Sequence, residues 1–322
     1  MPSTSQQTGS RRQFAAAMTA TAAAAAWTAS PAAAAMPEQE PEQTGDNQGL
    51  RFCLNTSTIR GQKLTLPQQI DVAAQAGYDA IEPWIGDLRK YQEGGGSWED
   101  LRKRIADAGI TVESGIGFAR WIVDDDSTRK AALEEAKRDM NMLAEIGGKR
   151  IAAPPMGAQK QRIDSLPKIA ERYGDLLRVS DQTGVVAQLE LWGFSQTLSR
   201  LGEVAYVAAE CGHANACVLP DFYHIYKGGS DFAGLNLIEA SRMHVFHIND
   251  YPSIDRKKIG DADRVFPGDG ICPLGQLVPQ LIRNGFKGYF SLELFNRDLW
   301  KLDALSVAKQ GLQKCREACG QA

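Results

Sequence analysis

The chain has 322 residues, 43% hydrophobic and 23% charged, a globular composition that excludes a disordered or membrane-embedded protein. Its net charge is −3, and Arg11 and Arg12 are the only charges before residue 36, so the remainder is more acidic still. Nucleic-acid binding needs a basic surface to neutralise phosphates, so nucleic acid is not expected as a partner.

Residues 1–35 open with Ser10-Arg11-Arg12-Gln13-Phe14, continue as an Ala-rich stretch and offer Ala33-Ala34-Ala35 as a small-residue cleavage site. This pattern resembles a twin-arginine export signal and implies a periplasmic protein. The stretch is too short and too weakly apolar for a membrane span. Residues 36–49, rich in Pro, Glu and Gln, read as a linker.

From Leu50 to the end the chain repeats one phrase: an apolar strand, a polar loop, an amphipathic helix, a glycine. Eight strands are predicted, at 51–55, 79–84, 111–115, 150–153, 185–191, 216–221, 243–249 and 288–294. Helices fit at 66–76, 97–108, 127–146, 165–183, 199–211, 274–284 and 299–318, with a short one near 234–241. Gly77, Gly109, Gly147, Gly184 and Gly285 follow five of them, where a left-handed cap is needed. Near-continuous apolar strands alternating with helices imply a parallel sheet buried on both faces. Eight units over residues 50–322 predict an α/β fold, a single (β/α)₈ TIM barrel. An open doubly wound sheet is disfavoured, because no G-x-G-x-x-G turn follows the first strand. The six cysteines are scattered, without metal-ligand or disulfide spacing, and read as small buried hydrophobes.

Active sites of such barrels lie at the C-terminal ends of the strands. Strands five to eight end there in Glu190, Asp221, His247 and Glu293. A neighbouring Arg or Lys would satisfy one buried carboxylate, but three carboxylates and an imidazole on consecutive strands call for a cation. Mostly oxygen ligands with one nitrogen suit one divalent ion, Mn²⁺ first, with Mg²⁺, Co²⁺ or Zn²⁺ as alternatives. Glu82 and Trp84 end strand two and are expected at the pocket mouth. His224 and Arg264 stand where they could meet a hydroxyl or carboxylate of a ligand, the alternatives being a supporting histidine and a surface arginine, and Trp192 and Phe222 where they could wall a ligand ring or fill the core. His244 belongs at the far end of the barrel and His213 in a loop.

With these residues on the strand ends, the chain resembles the xylose isomerase-like TIM-barrel superfamily, in its isomerase, epimerase and keto-inositol dehydratase branch. The resemblance rests on Leu189-Glu190, Asp221-Phe222-Tyr223-His224, His247-Ile248-Asn249-Asp250, Arg264-Val265-Phe266-Pro267-Gly268-Asp269-Gly270 and Leu292-Glu293-Leu294-Phe295. It implies that Glu190, Asp221, His247 and Glu293 hold the metal, that the two glutamates move protons, and that His224 and Arg264 contact a small sugar or polyol substrate. An oligomer is compatible with it. A metal that polarises a carbonyl acidifies the adjacent C–H, and two carboxylates then serve as base and acid. Epimerisation, isomerisation and β-elimination all begin with that step, so an isomerase or epimerase is expected and a dehydratase is the alternative. A non-catalytic sugar-binding barrel and an endonuclease IV-like nuclease fit less well, the latter because it needs more than the four histidines present.

Overall fold

The computed structural model describes residues 50–321, and the expected export signal and linker lie outside the described residues. Eight parallel strands form in the predicted order: β1 (Arg51–Asn55), β2 (Ala80–Glu82), β3 (Thr111–Val112), β4 (Arg150–Ala153), β5 (Val186–Glu190), β6 (Val218–Leu219), β7 (Val245–Ile248) and β8 (Tyr289–Leu292). One ladder runs β3-β2-β1-β8-β7 and another β4-β5-β6. Bridges Gly115↔Ile151 and Asp221↔His247 join the two into a closed barrel.

Several strands are shorter than the sequence suggested, and proline explains two of them. Pro83 and Pro220 have no N–H to give and end β2 and β6. Their carbonyls still accept, from Ile116 N and His247 N at 2.9 Å each, so the alignment persists one residue further, at Trp84↔Ile116 and Asp221↔His247. That persistence matters, because Asp221 stands just beyond Pro220.

The outer layer follows the predicted pattern: α1 (Leu66–Ala76), then α3 (Trp98–Asp107), α4 (Asp126–Glu145), α5 (Leu166–Thr183), α6 (Leu201–Glu210), α8 (Leu274–Arg283) and α9 (Ala304–Ala318). Ser97, Asp125, Ser165 and Asp303 cap four of these helices through their side chains. Gly77 and Gly184 take the left-handed conformation after α1 and α5, with φ of 92° and 73°.

Three details differ from expectation. The helix expected from 299 begins at Ala304, because Leu299–Lys301 is a 3-10 turn and Asp303 is the cap. The stretch near 234–241 forms two 3-10 turns, Phe232–Leu237 and Ala240–Arg242. Two helices were not foreseen, α2 (Ile85–Glu93) and α7 (Phe222–Gly228). Asp221 caps α7, its Oδ1 accepting from His224 N at 2.9 Å, so a residue read only as a strand end also starts a helix.

The main core lies between barrel and helices, with Ile70, Leu143, Leu177, Val204, Phe246 and Leu292 all buried. Inside the barrel, Ile116, Ala152, Leu219 and Val245 form a small apolar layer on which the polar strand ends rest. Among the described residues no helix is long and apolar enough to cross a membrane.

Candidate metal centre

Register brings the polar strand ends together. Ser291 of β8 pairs with His247 of β7, Asp221 bridges to His247, and Glu293 stands two residues beyond Ser291 on the same face. Single ligand atoms of Asp221, His247 and Glu293 lie within 4.8 Å of one another. His247 Nδ1 is 3.3 Å from Glu293 Oε2 and 3.7 Å from Asp221 Oδ2, and all three side chains are almost wholly buried.

His247 is oriented from behind. Its Nε2 lies 3.0 Å from Glu82 Oε2, which also accepts from Ser291 Oγ at 2.8 Å and Asn55 Nδ2 at 2.9 Å. Glu82, expected at the pocket mouth, is therefore fully buried beneath the site, because Pro83 ends β2 while Glu82 still faces the barrel axis. Asn55 reaches on to Glu293 Oε1 at 3.1 Å, linking both carboxylates. Asn55 and Ser291 had not been singled out as site residues. Both are polar positions near the C-terminal ends of apolar strands, a signal the sequence carried.

Glu190, the fourth expected ligand, stands beside the trio. Its Oε1 accepts from Trp192 Nε1 at 3.0 Å. Burial, with the negative charge of Glu293 and Asp221, raises its pKa well above the ordinary carboxylate range. Asp221 goes the other way: burial opposes its charge, but Arg264, His224 and His247 outweigh that and hold its pKa low. Burial also opposes charge on His247, and Glu293 and Glu82 outweigh it to raise the imidazole pKa.

Arg264 is buried at the centre rather than lying on the surface. Its Nη1 donates to Glu293 Oε2 at 2.7 Å and Asp221 Oδ2 at 3.1 Å, and its Nη2 reaches Asp261 Oδ1 at 2.9 Å and His224 Nε2 at 3.1 Å. The other nitrogen of His224 lies 3.3 Å from Gly193 N. Burial lowers the His224 pKa, and a neutral ring has one acceptor for these two donors, so only one of the two contacts is a hydrogen bond, the shorter one from Arg264. The loop that carries Arg264 is gathered by Asp250, whose carboxylate accepts from the amides of Tyr251, Gly268, Gly270 and Cys272. Asn249 holds Asp221 with two contacts of 3.2 Å.

An aromatic wall surrounds these groups. Trp84 lies 6.3 Å from Phe295 and 4.9 Å from Phe118, which lies 6.3 Å from Trp192. Trp192 stacks on Phe194 at 5.3 Å, and Phe194 meets His224 at 5.7 Å. Arg60 stacks over Trp84 from outside at 3.8 Å. Phe222, expected as a further wall, is core instead: it starts α7 and packs on Phe246 at 4.3 Å, behind the barrel. His244 precedes β7 at the opposite end, beside Arg150 and Lys149, and His213 pairs with Asp181 in a loop.

The donor set fits a divalent cation. His247 Nδ1 is buried without a hydrogen-bond partner while its other nitrogen is committed to Glu82, the arrangement of a metal-binding imidazole. Ligands about 2.1 Å from an ion lie roughly 3–3.5 Å apart, close to the spacing observed. The six cysteines are free, and five are buried.

The family model described as "Xylose isomerase-like TIM barrel" matches residues 70–318. An inosose isomerase of Bacillus velezensis is 25% identical over 81% of this chain and 94% of its own length. A 3-dehydroshikimate dehydratase of Pseudomonas putida is 22% identical over 77% of this chain and 39% of its own. The crystal structure of IOLI protein with a binding zinc atom superposes with a TM-score of 0.77 at 21% identity, covering 84% of this chain and 99% of that one. With the barrel closed and the family model spanning most of the chain, the protein belongs to the xylose isomerase-like TIM-barrel family and is an enzyme of it.

Proposed function

We propose that the protein is a divalent-metal-dependent isomerase or epimerase acting on a keto-sugar or related polyol, with Glu190 and Glu293 as acid and base. The observation that carries this reading is the convergence of Asp221, His247 Nδ1 and Glu293, with the second glutamate beside them. These four residues would hold the ion, Mn²⁺ by preference and Mg²⁺, Co²⁺ or Zn²⁺ by the same donor set. A divalent ion there supplies Lewis acidity, which polarises a carbonyl and acidifies its neighbouring C–H.

The residues account for the rest. Glu190 and Glu293 project from β5 and β8, so a sugar between them presents opposite faces of one carbon to two carboxylates. One takes the α-proton to leave an enediolate, and the other returns a proton to the opposite face or to the neighbouring carbon. Arg264 and His224 would meet the substrate oxygens by exchanging present contacts, those of Arg264 with Asp221, Glu293 and Asp261 and that of His224 with Gly193, and the aromatic wall would limit water access. A dehydratase is the second reading, favoured by the Pseudomonas putida relative; there the electron pair of the same enediolate expels a β-hydroxyl that the second glutamate protonates, so that it leaves as water. Arg11 and Arg12 further support export to the periplasm, and a precursor carrying Lys at both positions should stay in the cytoplasm.

The test is solvent exchange. Mn²⁺-loaded protein in D₂O should place deuterium beside the carbonyl of a keto-sugar or keto-inositol that it binds. Glu190→Gln and Glu293→Gln should each slow this by ~10²–10⁴-fold. Absence of exchange in the wild type with a bound ketone overturns the enediolate reading. A product lighter by one water selects the dehydratase.

A further inference from the structure

The aromatic wall does not stop at the edge of the site. Trp192 begins at the reacting centre, its Nε1 on Glu190, and one face of its indole is covered by Phe194. Phe194 is 44% exposed. Among the exposed large apolar side chains of the described residues, it is the one whose ring continues the wall of the site outward.

The loop presenting Phe194 is built rather than slack. Leu198 is held at φ 53°, a conformation that branched side chains avoid. Its carbonyl accepts from Trp192 N at 3.1 Å, and Thr197 Oγ1 donates to Gln161 O at 2.7 Å. Gly193 runs so close to α7 that a Cβ there would collide with the His224 carbonyl and the Gly228 amide. Strain fixed by this many contacts suggests a positioned surface.

We propose that the substrate carries a second ring, as a disaccharide or an aryl glycoside does, and that Phe194 is the platform for it. This rests on the keto-sugar reading and adds the substrate's size. A ketone-bearing ring held near Glu190 and Glu293 lies one indole away from Phe194, so a ring linked to it reaches the exposed aromatic face. The apolar C–H face of a sugar suits such a ring, and aromatic side chains with few polar groups are the usual lining of ligand sites.

The experiment compares matched probes by calorimetry on Mn²⁺-loaded protein: D-fructose against lactulose, and methyl 3-keto-glucoside against 3-keto-lactose. The two-ring member of at least one pair should bind about tenfold more tightly, the scale of one aromatic stack. Phe194→Ala should bring that ratio close to one, and Phe194→Trp should restore it. The proposal is overturned if no probe binds, if one-ring and two-ring probes bind equally, or if Phe194→Ala leaves the ratio unchanged. It is also overturned if the substitution only dissolves a dimer, which sedimentation would show. Deuterium exchange on the same probes reports separately: a two-ring preference without exchange refutes the proton-transfer chemistry and leaves the platform standing.

Discussion

His247 can offer Nδ1 to a cation because Glu82 has taken its Nε2. Glu82 is thus a positioning residue, acting on the ion through the imidazole. Glu82→Gln should weaken metal binding by ~10–100-fold, measured by chelator competition, while the folded far-UV spectrum persists. Unchanged affinity would remove Glu82 from that role. Asp221→Ala and His247→Ala each delete a proposed ligand, and elemental analysis should find bound metal near background in both. One equivalent retained in each variant would refute the assigned ligands.

At the scale of elements, the site depends on segments that begin or bend where the strands end. Asp250 gathers the amides of Gly268, Gly270 and Cys272 and so fixes the loop that buries Arg264. Asp250→Ala leaves these donors without their acceptor and should cost ~3 kcal/mol. Faster hydrogen exchange confined at first to 264–272 is the expected signature. The cap of α4 gives a pH prediction. Hydrogen bonds from Thr128 and Ser127 hold the exposed Asp125 carboxyl down at about 2. A depressed folded pKa means that its contribution is complete above about pH 4 and is lost as pH falls towards 2. The difference in Tm between wild type and Asp125→Ala should therefore shrink over that interval, and a constant difference would refute the charged cap.

For the whole molecule, the seam between β6 and β7 is the informative place. The two ladders meet there through isolated bridges, at Val218↔Met243 and Asp221↔His247. An ion held by Asp221, His247 and Glu293 would tie β6 to β7 and β8 across that seam. Adding Mn²⁺ at ~100 times its Kd should stabilise the fold by about 2.7 kcal/mol, and EDTA should reverse it. Hydrogen-exchange protection should rise first at residues flanking the seam; a uniform change would argue for binding elsewhere.

The barrel and the trio of Asp221, His247 and Glu293 were legible in the sequence because both rest on local periodicity. Apolar strands recur eight times, glycines follow five of the predicted helices, and a polar residue at the end of an apolar strand is visible without a partner. The sequence also carried the family resemblance, on the same strand-end motifs. Tertiary structure decided what each side chain faces. Glu82 turned from pocket mouth to support of His247, Phe222 from wall to core, and Arg264 from loop residue to the buried partner of Asp221 and Glu293. Helix α7 escaped notice because its cap is a strand-end carboxylate. These contacts join residues far apart in the chain, such as Asn55 and Glu293, and exist only once parallel register closes the barrel and brings the first strand against the last. Local pattern encodes where an element begins and ends, and closure determines which neighbours its side chains meet.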